Sequence, residues 1–322
     1  MDENLREEIY KCSKCGLCKS VCPIYLTTKN EMFSPRGRLI ILKNFYENNK
    51  KPSKIFIKNL DICLECNLCK EFCPSNINSS EIFKNFKQTS KIFYFKLYLK
   101  FFINGIINSF MKNNPKRNIS NKKVIYFEGC YNKFIDASDR NASIKLLEKL
   151  GYEIEKIISD CCGYVYKSNN DEKKYLKNKE NVMNNCNTEA KYIICSCDTC
   201  YKTLMNYKDK AFTSKLITLD KFLKINNYEI KNTEKLEYFR PLLRTEELLC
   251  IEGIKEINKK SDCSLMENFF AIKHSKLSKK ISKENNKYDN YKEIITSCNI
   301  TKWGLKEIYK KNVISLSERL KK

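Results

Sequence analysis

An α+β fold follows from three observations on this 322-residue sequence. Two cysteine runs near the start lie among helical patterns with few strand signals. From about Lys122 the apolar runs alternate strand, helix, strand, helix, strand, which predicts a parallel sheet. The 18 cysteines fall into blocks that track this change: eight between Cys12 and Cys73, seven between Cys130 and Cys200, then Cys250, Cys263 and Cys298.

The first run, Cys12-Ser-Lys-Cys15-Gly-Leu-Cys18-Lys-Ser-Val-Cys22-Pro23, is repeated as Cys63-Leu-Glu-Cys66-Asn-Leu-Cys69-Lys-Glu-Phe-Cys73-Pro74. Both read C-x2-C-x2-C-x3-C-P, the ligand run of bacterial [4Fe–4S] ferredoxins. In that pattern the fourth cysteine of each run serves the other cluster. The expected quartets are therefore Cys12, Cys15, Cys18 and Cys73, and Cys63, Cys66, Cys69 and Cys22. Structural zinc prefers C-x2-C knuckles separated by a longer loop, and four cysteines packed this closely do not suit it. Between the runs, Ser34 is a capping residue, Pro35 suits a first helical position, and Leu39, Ile40 and Leu42 continue a helix.

Residues 82–127 hold ten basic residues and no acidic one. Within them Lys96, Lys100, Asn104, Asn108 and Lys112 recur every fourth residue, among Phe, Tyr, Leu and Ile. That predicts a helix with one narrow polar stripe and a wide apolar face. Such a helix is expected either to link the domains, packed on the next domain or a partner protein, or to lie on an anionic membrane.

Lys123–Phe127 reads as a strand leading into Gly129-Cys130, and Ile144–Leu150 as a helix closed by Gly151. Glu153–Ser159 is a strand before Cys161-Cys162-Gly163, 175–190 is a helix, and 191–195 a strand before Cys197-Asp-Thr-Cys200. The cysteines thus sit at strand C-termini, where open α/β sheets place their sites. Cys195 is expected to be a buried strand residue and Cys186 a core residue. Further on, 235–239 and 292–298 read as weaker strands, and 275–290 as a solvated helix or loop.

Composition narrows the class. With 19 Tyr and 18 Phe the chain can build cores and needs no disulfide staples. No secretory signal or transmembrane stretch is read, so a reducing cytoplasm is expected, with clustered cysteines as metal or redox sites. The formal net charge of +23 rests mostly on lysine. Compositional drift on solvated faces explains it most simply. No motif accompanies it that would make it a nucleic-acid surface, and a docking face for an acidic partner or membrane is the other reading.

Cys15-Gly-Leu-Cys18…Cys22-Pro23, Ser34-Pro35-Arg36-Gly37-Arg38 and Leu60-Asp61-Ile62-Cys63…Cys73-Pro74-Ser75 resemble the helical dicluster ferredoxin region of glycolate oxidase iron–sulfur subunits. The related iron–sulfur proteins of anaerobic glycerol-3-phosphate dehydrogenase and of heterodisulfide reductase share this layout. The resemblance continues in Cys130, then Cys161-Cys162-Gly163, then Cys197-x-x-Cys200, which look like the family's cysteine-rich CCG pattern. It implies a noncubane [4Fe–4S] cluster on Cys130, Cys161, Cys162, Cys197 and Cys200. Zinc or free redox-active thiols are the alternatives there.

The family carries two CCG motifs. Here the second is decayed: Leu242 stands in place of its first cysteine, only Cys263 and Cys298 survive, and Cys250 fits no position. The implied organisation is a dicluster domain over 1–90, a basic linker helix over 91–120, a first CCG half over 121–228, and a degenerate, structural second half over 229–322. Arg36 and Arg38 fall in the family's motif. Their ordinary roles are capping or pairing with acids, and their functional role is to favour a reduced anionic cluster and dock a partner.

The resemblance implies a non-catalytic electron-transfer subunit with two cubanes, and the basic helix adds a peripheral place on the cytoplasmic face of the inner membrane as the alternative to a free cytoplasmic one. The subunit would take electrons from an FAD-containing glycolate or D-lactate dehydrogenase and pass them to quinone or another acceptor. A thiol/disulfide reductase subunit, a glycerol-3-phosphate dehydrogenase subunit, or a zinc-holding docking domain are the rivals.

Overall fold

A computed structural model describes residues 3–86, 91–112, 114–115, 122–228, 236–241, 254–257, 264–266, 269–284 and 288–321. The expectations for Leu242, Cys250 and Cys263 lie outside these residues.

The N-terminal region is helical: α1 (Glu3–Tyr10), α2 (Leu17–Val21), α3 (Pro23–Thr28), α4 (Pro35–Glu47), α5 (Lys54–Asp61), α6 (Leu68–Glu71) and α7 (Ser79–Asn85). Ser34 caps α4 by accepting from the Gly37 amide at 2.8 Å, with Pro35 at the first helical position. Ile9, Leu39, Leu42, Phe56, Leu60 and Phe83 form the core between these short helices.

Helix α8 (Lys91–Phe110) runs to the α/β region. There follow β1 (Lys123–Phe127), α9 (Gly129–Phe134), α10 (Ala137–Lys149), β2 (Glu153–Ile158), α11 (Tyr164–Lys167), α12 (Glu172–Asn185), β3 (Tyr192–Cys195), α13 (Asp198–Met205), α14 (Lys210–Thr213), β4 (Leu216–Thr218) and α15 (Leu219–Ile225). The four strands form a parallel sheet in the order β2-β1-β3-β4, with Phe127 level with Cys195 and Ile158. Strand β1 is apolar and buried from Val124 to Phe127, as a central parallel strand covered on both faces must be.

The last region repeats this plan with β5 (Leu236–Tyr238), β6 (Ile254–Glu256), α16 (Phe270–Lys273), α17 (Ser275–Glu284), β7 (Ile294–Thr296), α18 (Asn299–Glu307), β8 (Val313–Ser315) and α19 (Leu316–Leu320). Its strand order, β6-β5-β7-β8, matches the first sheet. One hydrogen bond also recurs: Tyr126 OH to Ser196 Oγ (3.1 Å) in the first half, Tyr238 OH to Ser297 Oγ (2.8 Å) in the second. The two halves share one core, in which Tyr126, Ile194 and Leu223 meet Tyr238, Ile295 and Leu316.

Two readings of the sequence change. The 275–290 segment is not simply solvated: Ile281 on α17 is buried, and with Leu277 it packs against Ile24 and Leu64 of the N-terminal region. Two apolar residues four apart are enough to seat a lysine-rich helix. From Lys100 onward the polar stripe of α8 faces inward, while Lys96 is exposed. Asn108 donates to the Phe134 carbonyl (3.1 Å) and accepts from the Ala137 amide (3.1 Å). Lys100 lies over the Trp303 ring at 4.7 Å and pairs with Glu307. Lys112 pairs with buried Glu128 at 2.9 Å. A Cβ on Gly105 would stand 2.9 Å from Phe134, so glycine lets α8 approach α9 this closely.

Candidate metal centres

In both cysteine runs the residues flanking the second cysteine adopt left-handed backbone: Lys14 (φ 62°) and Gly16 (φ 87°), and Glu65 (φ 58°) and Asn67 (φ 59°). Lys14 and Glu65 do so against the steric preference of L-residues, at a cost of roughly 1 kcal/mol each. The repeated strain curls each loop around its three thiols.

The second run encloses a cavity of about 370 Å³ lined by Cys63, Cys66, Cys69 and, from the other run, Cys22. The cavity thus draws cysteines from both runs. The charges of Cys12, Cys22 and Cys15 all act on the Cys18 thiol. Cys12 and Cys73 pack against the same hydrophobic core. Burial pushes the Cys18 thiol up to about 11, although the Arg36 backbone N–H at the start of α4 donates to it. Burial likewise pushes Cys69 up to about 12. Exposed Cys15 is held below the usual thiol range, first by the Leu17 amide.

The two arginines differ. Arg36 pairs with Glu31 (2.8 Å) at the rim of the first run. Arg38 is 1 % exposed and lines the Cys22/Cys63/Cys66/Cys69 cavity, and its Nε and Nη2 have no hydrogen-bond partner among the described residues. An unsatisfied buried guanidinium is costly on its own, and a thiolate-bound cubane of net charge about −2 answers it. The donor set and the cation therefore fit an anionic iron–sulfur cluster.

A second cavity, also about 370 Å³, is lined by Cys130, Cys161, Cys162, Cys197 and Cys200 together. Cys130 lies on the first turn of α9, Cys161 and Cys162 follow β2, and Cys197 and Cys200 follow β3. Gly129, at φ 68°, leaves room for the Cys200 Sγ, which a Cβ there would approach to 3.3 Å. The Gly163 amide donates to Cys161 Sγ at 3.4 Å. Cys161 is held well below the usual thiol range, chiefly by hydrogen bonds from Cys130 and then Cys162. Cys197 is held low by Cys200, then by Cys298. Cys130, Cys162 and Cys200 are raised, first as the partners that keep their protons. Among the described residues no group of His, Cys, Asp or Glu is drawn around a single-ion point, and the sulfurs rim a space instead.

Cys186 and Cys195 are buried and line neither cavity. Cys298 was not foreseen at the site. Its Sγ lies 3.8 Å from Cys197 Sγ and 3.2 Å from Thr199 Oγ1. Asn299 beside it lines the cavity and donates to Asn132 (2.7 Å) and Asp139 (3.0 Å) of the first half. The available signal was the parallel between Ile193-Ile194-Cys195-Ser196-Cys197 and Ile294-Ile295-Thr296-Ser297-Cys298. Both cysteines cap the helix after a central strand.

The fold and its thiol sites define an iron–sulfur protein that joins a dicluster unit to a cysteine-rich α/β unit. Residues 8–77 match the 4Fe-4S dicluster domain family, and residues 124–205 match the cysteine-rich domain family. The chain is similar to the glycolate oxidase iron-sulfur subunit of Escherichia coli, 24% identical over 210 residues, covering 53% of this chain and 51% of that protein. It is also similar to the probable glycolate oxidase iron-sulfur subunit of Bacillus subtilis, 32% identical over 83 residues, 26% of this chain and 18% of that one. A component of the dihydromethanophenazine:CoB–CoM heterodisulfide reductase of Methanosarcina mazei is 24% identical over 187 residues, 48% of this chain and 46% of that one. The matches thus span about half the length of these relatives or less. They support the resemblance read from the sequence.

Proposed function

We propose that this chain is the electron-transfer subunit of a flavin-linked 2-hydroxyacid dehydrogenase or oxidase of glycolate or D-lactate type, delivering electrons to quinone or another acceptor. The bound clusters supply one-electron storage. The thirteen residues proposed to hold them are Cys12, Cys15, Cys18 and Cys73; Cys63, Cys66, Cys69 and Cys22; and Cys130, Cys161, Cys162, Cys197 and Cys200.

The placement of two consecutive residues carries the reading. Phe269 lines the five-cysteine cavity, while Phe270 packs on Ile24 and Leu64, which line the Cys22/Cys63/Cys66/Cys69 cavity. The two sites are therefore separated by little more than packed side chains. Cys15 is exposed, so its quartet forms the outer end, suited to meeting a flavoprotein. Arg38 favours extra negative charge at the inner dicluster site, and Arg36 at the rim offers a cation to a partner.

Anaerobic reconstitution with iron and sulfide counting tests the reading. At least about 8 iron atoms per chain are expected from two cubane sites, and fewer would remove the relay. A second reading draws on the shared five-cysteine cavity and the similarity to a heterodisulfide reductase component. In it the cavity is where a disulfide is reduced. A reduced-dye assay with disulfide substrates separates the two, because turnover without a flavoprotein partner supports only the second.

A further inference from the structure

We infer that α8 is a membrane-surface helix, laying its outer face on the headgroup region of an anionic bilayer. This stands apart from the electron-transfer reading, because it rests on a different part of the molecule. The inner side of the helix is spent on the protein body, where Lys100, Asn108 and Lys112 are bonded and Tyr94, Leu97 and Phe101 pack on the core, and a second apolar side is left outside. Phe95, Tyr98, Phe102, Ile106 and Phe110 recur at spacings of three and four, with Ile103 beside them, and all are exposed, Phe110 to 87%. They form one strip along a helix of 20 residues, about 30 Å long. Exposed contiguous apolar surface of this kind marks an interaction site.

Charge and composition choose the occupant. The segment 82–127 carries ten basic residues and no acidic one; Lys100 and Lys112 are paired inward, and Lys96, Lys122 and Lys123 are exposed. Protein–protein interface cores are depleted in lysine, whereas an anionic leaflet attracts a one-sign basic segment. Aromatic rings mixed with aliphatic side chains suit the headgroup boundary. No described helix is long and apolar enough to cross a membrane, so the contact is tangential. The anchors to the body are side-chain contacts spread along α8, from Tyr94 on Asp171 to Asn108 on α9 and α10, which hold the strip outward.

Flotation of the purified holoprotein with phosphatidylglycerol–phosphatidylcholine vesicles tests this. The protein floats with these vesicles at low salt, far less at high salt, and not with phosphatidylcholine alone. Phe102→Glu with Ile106→Glu lowers binding by about tenfold or more. Lys122→Glu with Lys123→Glu lowers it less and weakens its salt dependence. These positions are exposed, and unchanged iron content and Trp303 emission verify the fold. Absence of flotation, or equal flotation by the Phe102/Ile106 variant, overturns the inference. So does a wild-type dimer in light scattering that the same variant dissociates, since a second copy would then own the face.

Discussion

The Sγ atoms of Cys197 and Cys298 lie 3.8 Å apart although 101 residues separate them in the chain. The second α/β half thus brings a thiol up to the first half's Cys197, one of the residues proposed as a ligand. Donation from Cys298 helps hold the Cys197 thiol low. Hydrogen bonds to a ligating sulfur ease reduction of the centre it holds. Cys298→Ala is therefore expected to move the potential of the centre at the five-cysteine site downward. A redox titration followed by electron paramagnetic resonance would show that shift while the two dicluster signals stay in place.

Arg38 gives a prediction with opposite signs in two states. Without a cluster its buried guanidinium is only partly satisfied, so Arg38→Met should raise the Tm of the iron-free protein, by the order of 1–3 kcal/mol in stability. With the cluster bound, the same change removes the neighbouring cation and lowers that cluster's potential. Calorimetry on iron-free protein and potentiometry on reconstituted protein read the two effects separately.

Lys302 is fully buried and bridges Asp136 and Glu318, each at 2.5 Å. Burial alone would raise Glu318, but the Lys302 charge together with hydrogen bonds from Lys302, Ser138 and the Ser315 amide brings it down to about 2. Its contribution is present above the ordinary carboxylate value near 4.5 and is lost as pH falls toward 2. Lys302→Met should cost about 3 kcal/mol at neutral pH by stranding the acids. Glu318→Gln should cost about 2 kcal/mol at neutral pH and flatten the acid limb between those values. Denaturant unfolding at several pH values measures both.

Gly105→Leu should push α8 off Phe134, at a cost of about 1–3 kcal/mol for overpacking. Trp303, the single tryptophan, is packed 6.1 Å from the Phe101 ring and reports the displacement by a red-shifted emission.

The two C-x2-C-x2-C-x3-C-P runs were legible because cluster ligands recur at short local spacings, whereas the meeting of Cys130, Cys161, Cys162, Cys197 and Cys200 in one cavity was expected from the family resemblance alone. The strands of the first sheet were legible because a parallel strand buried on both faces is apolar throughout. The inward turn of α8 was not. A stripe of Lys100, Asn104, Asn108 and Lys112 looks like a solvent face until Glu307, Trp303, the Phe134 carbonyl and Glu128 come to meet it. Those partners lie far along the chain, and local pattern says nothing of them. The same holds for Cys298, whose partner is set by the packing of two sheets, and for Leu277 and Ile281, too few to reveal a buried side of α17.

The distance along the chain between Cys197 and its neighbour has a consequence for biogenesis. The eight cysteines proposed to hold the dicluster pair lie between Cys12 and Cys73, upstream of the whole α/β region, so that unit can receive iron and sulfide while synthesis continues. The surroundings of Cys197 are completed only when Cys298 and Asn299 have left the ribosome and their sheet has docked. On the proposed assignment the ferredoxin part can mature first, and the five-cysteine site waits for the segment that carries Cys298.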